Sequence, residues 1–236
     1  MALPVLNENP EYEMIIPSKQ EKVLFRPFLV KEQKVLMIAF ESEDKNQILK
    51  AMLNTLDACI HSDIKVKDLP SFDIDYMFTQ VRAKSVGETA EIKIKCKECS
   101  HANLVKVDLA NVDPPKDIKK DIIIELTDKY SLEMKYPNYT ELFGTVANET
   151  KETEAVMKFI ISCMQGLLTD EERISMKDES LSEKQKFLES LNSEQFGKLT
   201  TFIQDLPKLS SLVEFNCESC NTSNTHELKG LEDFFL

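Results

Sequence analysis

Two Cys-x-x-Cys pairs, Cys96/Cys99 and Cys217/Cys220, constrain this chain more than any other feature, with 117 residues between them (217 − 99 − 1). Each pair ends a run that reads as a β-strand, and their surroundings match. The first stretch is Ile94-Lys95-Cys96-Lys97-Glu98-Cys99-Ser100-His101-Ala102-Asn103; the second is Phe215-Asn216-Cys217-Glu218-Ser219-Cys220-Asn221-Thr222-Ser223-Asn224. Both carry the pattern apolar-x-Cys-x-Glu/Ser-Cys-x-x-x-Asn, and both return to apolar positions, at Val107 and Leu228. A strand, a tight polar turn with two thiolates and a returning strand make a zinc knuckle, because a tetrahedral Zn²⁺ takes two ligands from each such turn. Cys96, Cys99, Cys217 and Cys220 are therefore expected to form one four-sulfur shell. Such a shell leaves no open position for water or substrate, so its role is structural.

Two other readings of the spacing stay open. A redox pair usually opens a helix, whereas Leu104-Val105-Lys106-Val107-Asp108-Leu109 alternates like a strand. Two unrelated disulfides, or inert thiols, are the other possibility. His101 and His226 lie close enough in sequence to replace a sulfur, although each reads as a solvated turn or strand residue. Cys59 and Cys163 sit inside helical patterns among Leu, Ile and Met, where a reduced core thiol is the ordinary outcome. That favours reduced thiols throughout, and hence metal.

Charge and motif content narrow the function classes. With 29 Lys+Arg against 41 Asp+Glu, the net charge of −12 provides no basic footprint for phosphates, so nucleic acid is not an expected partner. The start, Met1 to Glu8, has no basic region followed by an apolar core, and no stretch of about 18 apolar residues occurs, so neither export nor membrane spanning is expected. Only 5 Gly are present and no phosphate-cradling glycine loop is found. None of the 3 His stands in a His-Glu-x-x-His or nucleophile-elbow context, so no catalytic site is expected.

Along the chain, Pro4, Pro10 and Pro17 lie in a segment without period, which reads as an extended arm to about Lys22. Val23 to Phe28 reads as a short strand. A helix from Val30 puts Val35, Leu36, Ala39 and Phe40 on one face, and a second, from Lys45 to Cys59, is capped by Asp44. A third, over Ser71–Ser85, places Asp73 and Asp75 in its first turn, where the dipole favours them, and Gly87 ends it. Arg26 and Arg82 lie beside apolar positions and read as ion-pair residues. Ile122–Leu126 and Tyr130–Tyr136 form an expected hairpin, and Thr153–Leu168 reads as one helix. Ser182 with Gln185 fits a capping box for the next helix, and Ser193 opens another that Pro207 stops. The ending Phe234-Phe235-Leu236 either tucks into the domain or forms an apolar hook for a partner.

The combination Val23-Leu24-Phe25-Arg26-Pro27-Phe28, the helix starting Val30-Lys31-Glu32, the stretch Phe72 to Phe78 with Arg82 and Ser85-Val86-Gly87-Glu88, and the Cys-x-x-Cys that follows resembles the baseplate proteins of T-even-type bacteriophages. Within that group it is most similar to the baseplate hub assembly proteins, over roughly residue 10 to the second cysteine pair. The resemblance implies a role in building the hub of a contractile tail, with phage baseplate hub proteins as partners. It also implies work in the host cytoplasm during assembly or a place in the tail of the virion.

The expected fold is α+β: helical N-terminal and C-terminal parts flank a small antiparallel β region closed by a two-knuckle, zinc-ribbon-like clip. Its segments are an arm (1–22), a helical region (23–89), a β region with the first knuckle (90–136), a second helical region (137–210) and the second knuckle with the tail (211–236), with 23–236 one cooperative unit. The expected function is a non-enzymatic tail assembly protein with a structural zinc. The alternative is a zinc-ribbon adaptor, or nucleic-acid-associated module, of an unrelated complex.

Overall fold

Alternation of apolar and polar residues governs the first element. In Tyr12–Ile16 (β1), Met14 and Ile16 are buried while their neighbours face outward, and Glu21–Phe25 (β2) repeats this with Val23 and Phe25. The two pair antiparallel, so the stretch expected as an arm is extended but paired from Tyr12 onward. The computed structural model describes residues 10–146 and 152–235, with side chains at 10–142, 153–231 and 233. The expectation for Phe234, Phe235 and Leu236 lies outside the described side chains.

The chain is α+β, with helices interleaved among several small antiparallel sheets rather than around one. It divides into two compact units. The first holds β1, β2, helices Val30–Glu41 (α1) and Lys45–Cys59 (α2), strand Ile60–His61 (β3), helix Ser71–Ser85 (α3), the hairpin Thr89–Lys95 (β4) and Ala102–Asp108 (β5), and from the far end of the chain the hairpin Ser210–Asn216 (β10) and Ser223–Lys229 (β11) with helix Gly230–Phe235 (α8). The second holds strands Ile122–Glu125 (β6) and Ser131–Met134 (β7), helices Tyr139–Val146 (α4) and Glu152–Cys163 (α5), strands Met164–Leu168 (β8) and Arg173–Ser175 (β9), and helices Leu181–Glu189 (α6) and Ser193–Gln204 (α7). Among the described residues no helix is long and apolar enough to cross a membrane.

In the first unit, β2 is the central strand of the sheet β1-β2-β3, and Phe25 lies opposite Ile60. The expected cap of α2 is present: the Asp44 carboxylate accepts from the amides of Asn46 and Gln47. In α1, Leu36 and Ala39 are buried as expected, but Val35 is half exposed, together with Val30, Met37 and Ile38. Arg26 and Glu32 form an ion pair at 3.0 Å with both side chains nearly buried. A core of Ala83, Ala90, Ile94, Val107, Leu209 and Leu228, among others, binds the two hairpins β4–β5 and β10–β11 to α3.

In the second unit, β6 to β9 form a sheet in chain order, packed by Leu132, Met134, Phe159, Ile160, Leu188 and Leu199. Two expectations fail here for physical reasons. The helix predicted over Thr153–Leu168 stops at Cys163, because Met164–Leu168 pairs with β7 instead. At Gly166 a Cβ would lie 2.8 Å from the Glu133 carboxylate, so a side chain there would displace the Glu133–Arg173 ion pair that spans the strand. The cap of α6 is Ser180, not Ser182; its hydroxyl accepts from the Glu183 amide while the Glu183 carboxylate returns to the Ser180 amide.

Asp73 shows how tertiary context overrides a helix-terminus argument. Rather than facing solvent at the start of α3, it is fully buried and accepts hydrogen bonds from the Ser18 amide, at 2.9 Å, and from the Ser18 hydroxyl. Burial outweighs these bonds and pushes its pKa up to about 6, from an ordinary 3.8. A carboxyl whose folded pKa is raised holds its proton more tightly in the folded chain. Stability is therefore highest below pH 3.8 as far as this group is concerned, and falls as pH rises through about 6. Asp73→Asn keeps an acceptor for the Ser18 amide and is expected to remove this slope, up to about 3 kcal/mol, and to stabilise the chain at pH 8 in denaturant titrations. An unchanged slope between pH 4 and 7 would contradict this assignment.

Candidate metal centre

The two Cys-x-x-Cys turns fold by the same backbone rules. In the first, the Cys96 amide donates to the His101 carbonyl at 2.9 Å and the Ser100 amide to the Cys96 carbonyl at 3.0 Å. In the second, the Cys217 amide donates to the Thr222 carbonyl and the Asn221 amide to the Cys217 carbonyl, both at 2.9 Å. Ser100 and Asn221 turn the chain with φ of 58° and 59°, a left-handed conformation that L-residues adopt at single positions in tight turns. Each turn thereby points two sulfurs the same way. Backbone amides of Glu98 and Cys99 bond Cys96 Sγ, and those of Ser219 and Cys220 bond Cys217 Sγ.

The hairpins bring all four expected ligands together. Cys96 Sγ lies 3.7 Å from Cys220 Sγ and Cys99 Sγ lies 3.6 Å from Cys217 Sγ, and the four sulfurs fall within 4.8 Å of one another. All are free thiols; Cys96 and Cys217 are buried, Cys99 and Cys220 exposed. A tetrahedron of sulfurs about 2.3 Å from a central ion has edges of about 3.8 Å, so the donor set fits a tetrahedral, thiolate-binding metal ion. His101 and His226 are not in the cluster, and Cys59 and Cys163 are buried core thiols.

Three of the sulfurs have shifted acidities. The Cys99 and Glu98 amides lower the pKa of Cys96 to about 6 against the cost of burial. At Cys217 burial acts upward, but the amides of Cys220 and Ser219 overcome it and the pKa is lowered. At Cys99 the His101 amide acts downward, yet the sulfurs of Cys220, Cys217 and Cys96, with burial, outweigh it and push the value up to about 12. Backbone donors thus favour thiolates on the buried pair, while hydrogen bonding to those sulfurs keeps Cys99 protonated. A divalent cation at the centre would displace that proton and pair with all four sulfurs.

Sequence reading missed the two residues that brace the cluster. Asn103 and Asn224, both buried, cross between the knuckles: the Asn103 side-chain oxygen accepts from the Glu218 amide at 2.8 Å, and the Asn224 oxygen accepts from the Lys97 amide at 3.0 Å. Each also donates within its own knuckle, to the His101 and Thr222 carbonyls, and Asn224 Nδ2 donates to Cys96 Sγ at 3.5 Å. Their signal was present as the shared Asn four positions after each second cysteine. Removing groups that orient metal ligands typically costs about 10- to 100-fold in affinity. Asn103→Ala and Asn224→Ala are each expected to weaken Co²⁺ and Zn²⁺ binding by that order, measured by competition with a chromophoric chelator; unchanged affinity would show that the brace does not orient the sulfurs.

Comparison with known proteins adds a lineage to this geometry. No curated protein and no solved structure matches the chain. A family model does, described as T4 bacteriophage base plate protein, and the match runs over residues 9–236, including both hairpins and all four clustered cysteines. The chain therefore belongs to the T4 bacteriophage base plate protein family.

Proposed function

We propose that the chain is a non-enzymatic tail assembly protein that binds baseplate hub subunits and promotes assembly of the hub, and that a structural zinc occupies its four-cysteine cluster. The observation that carries this reading is the family match across both halves of the chain, which implies other phage baseplate proteins as partners. The metal reading is supported by the sulfur spacing: four thiolates from two hairpins form a closed shell without room for a substrate, as in structural zinc sites. Zinc in such a shell contributes about 10–16 kcal/mol in apparent terms, comparable with the stability of a whole domain.

A binding role needs an accessible surface. The outer side of α1 offers one, with Val30 79% exposed, Met37 56% and Ile38 54% beside Lys34 and Glu41. Apolar side chains grouped on one exposed helix suit contact with another protein. A hub subunit is the partner that the resemblance implies.

Two measurements test the reading. Purified protein is expected to carry one zinc per chain, and Cys96→Ser or Cys217→Ser to lower zinc content and solubility together; no zinc in the wild type would overturn the metal assignment. Co-expression with hub subunits is expected to give co-purification, which Met37→Glu with Ile38→Glu abolishes without loss of zinc. Failure to capture any hub subunit would overturn the assembly role.

A further inference from the structure

The two hairpins of the cluster are the ends of a longer correspondence. Cys96, Cys99, Ser100 and Asn103 lie 121 positions before Cys217, Cys220, Asn221 and Asn224 (217 − 96, 220 − 99, 221 − 100, 224 − 103), and β4 and β5 lie 121 before β10 and β11. Strand register agrees, with Thr89 opposite Asp108 and Ser210 opposite Lys229. So does the bond that closes each hairpin: the Leu109 amide donates to the Glu88 carbonyl, and the Gly230 amide to the Leu209 carbonyl.

Upstream the correspondence continues at a separation of 109 up to the start of the helix pair and of 104 from its end (163 − 59, 164 − 60). Arg26 and Glu32 pair as Lys135 and Glu141 pair (135 − 26, 141 − 32). The Glu32 carboxylate accepts from the Leu29 amide and the Glu141 carboxylate from the Asn138 amide, opening α1 and α4 alike. The Arg26 amide donates to the carbonyl of Cys59, the last residue of α2; the Lys135 amide donates to that of Cys163, the last residue of α5. Phe25 then faces Ile60, and Met134 faces Met164. Sheet order repeats as well: β1-β2-β3 in one unit, β6-β7-β8 in the other, the third strand in each following a helix pair. Between Cys59 and Ser71 run 11 residues (71 − 59 − 1), and between Cys163 and Ser193 run 29 (193 − 163 − 1); the longer connection holds β9 and α6.

From this we infer that the chain is a tandem duplication of one module, a hairpin, a helix pair, a returning strand, a helix and a Cys-x-x-Cys hairpin, and that the metal cluster is the interface where the terminal hairpins of the two copies meet, the metal acting as their fastener. Shared topology alone can arise by convergence, but a cation–carboxylate pair, a carboxylate cap and a helix-ending cysteine at matching positions are not required by topology. The sulfur–sulfur contacts and the asparagine-to-amide bonds between hairpins follow a two-fold interface, recurring with partners exchanged, while the bond from Asn224 Nδ2 to Cys96 Sγ is made on one side alone. Cys96 meets Cys220 as Cys99 meets Cys217, and Asn103 braces the Glu218 amide as Asn224 braces that of Lys97. The cluster is thus an intramolecular version of a metal-bridged homodimer. The fastener role rests on the zinc reading above; the duplication does not.

The test uses the whole chain with a specific protease site inserted between Lys116 and Asp117, in the connection between copies. Zinc content is measured first, and the chain is then cut. The cut protein is expected to elute as one species while zinc is bound. After chelation the two pieces should bind each other at least about 100-fold more weakly, and zinc should restore them. Hydrogen exchange on the stripped, uncut chain should show protection lost at β10 and β11 but kept at Leu132 and Ile160. Pieces that separate with zinc bound, or hold together equally without it, would overturn the fastener, as would loss of protection at Leu132 and Ile160. Absence of zinc would sink the metal reading and the fastener with it, whereas a zinc-loaded chain whose pieces ignore chelation would sink the fastener alone. Asn103→Ala and Asn224→Ala should each weaken zinc binding; a loss at one position with none at the other would contradict the two-fold interface.

Discussion

Four sulfurs held within 4.8 Å of one another are the constraint on which the first unit depends. Backbone amides in two hairpins lower the pKa of the buried Cys96 and Cys217 thiols, while hydrogen bonding to the neighbouring sulfurs keeps the Cys99 thiol protonated, and a bound cation would relieve that opposition. Because two of the sulfurs come from the last 20 residues of the chain, satisfying that demand also fixes where the C-terminal hairpin lies. The apolar core of Ala90, Ile94, Val107, Leu209, Val213 and Leu228 then has both of its halves in place. Local turn geometry, a long-range closure and core formation thus meet at one four-sulfur cluster.

The asparagine brace makes that shell specific. A buried amide without partners is costly, so Asn103 and Asn224 favour the one arrangement in which each finds an acceptor in its own knuckle and a donor in the other. Sulfurs alone would tolerate small rotations of one hairpin against the other; the cross-bonded amides do not. The same economy recurs at the start of each helix pair, where Glu32 and Glu141 each cap a helix and hold a cation with one carboxylate.

Much of the secondary structure was legible because its causes are local. Asp44 caps α2 through amides two and three residues away, and the spacing of apolar residues outlined α1, α2, α3 and α7 without reference to any neighbour. Errors arose where the deciding partner was distant. Met164–Leu168 has helical spacing, yet β7 captures it, with the Glu133–Arg173 pair lying over Gly166. Val35 fits the apolar stripe of α1 but is half exposed, and Asp73 is a good first-turn residue whose carboxylate the Ser18 turn takes instead.

By itself, the sequence determined the four clustered sulfurs and the local turns: two Cys-x-x-Cys motifs in matching frames carry the spacing that presents two sulfurs each, and that spacing is a property of a few consecutive residues. Tertiary structure alone decided that Cys96 faces Cys220 and Cys99 faces Cys217, that Asn103 and Asn224 serve the opposite knuckle, and that the histidines nearby stay outside the cluster. Those pairings depend on the mutual orientation of strands 121 positions apart, which no short-range pattern encodes; it emerges when buried sulfurs, amides and apolar side chains must be satisfied together.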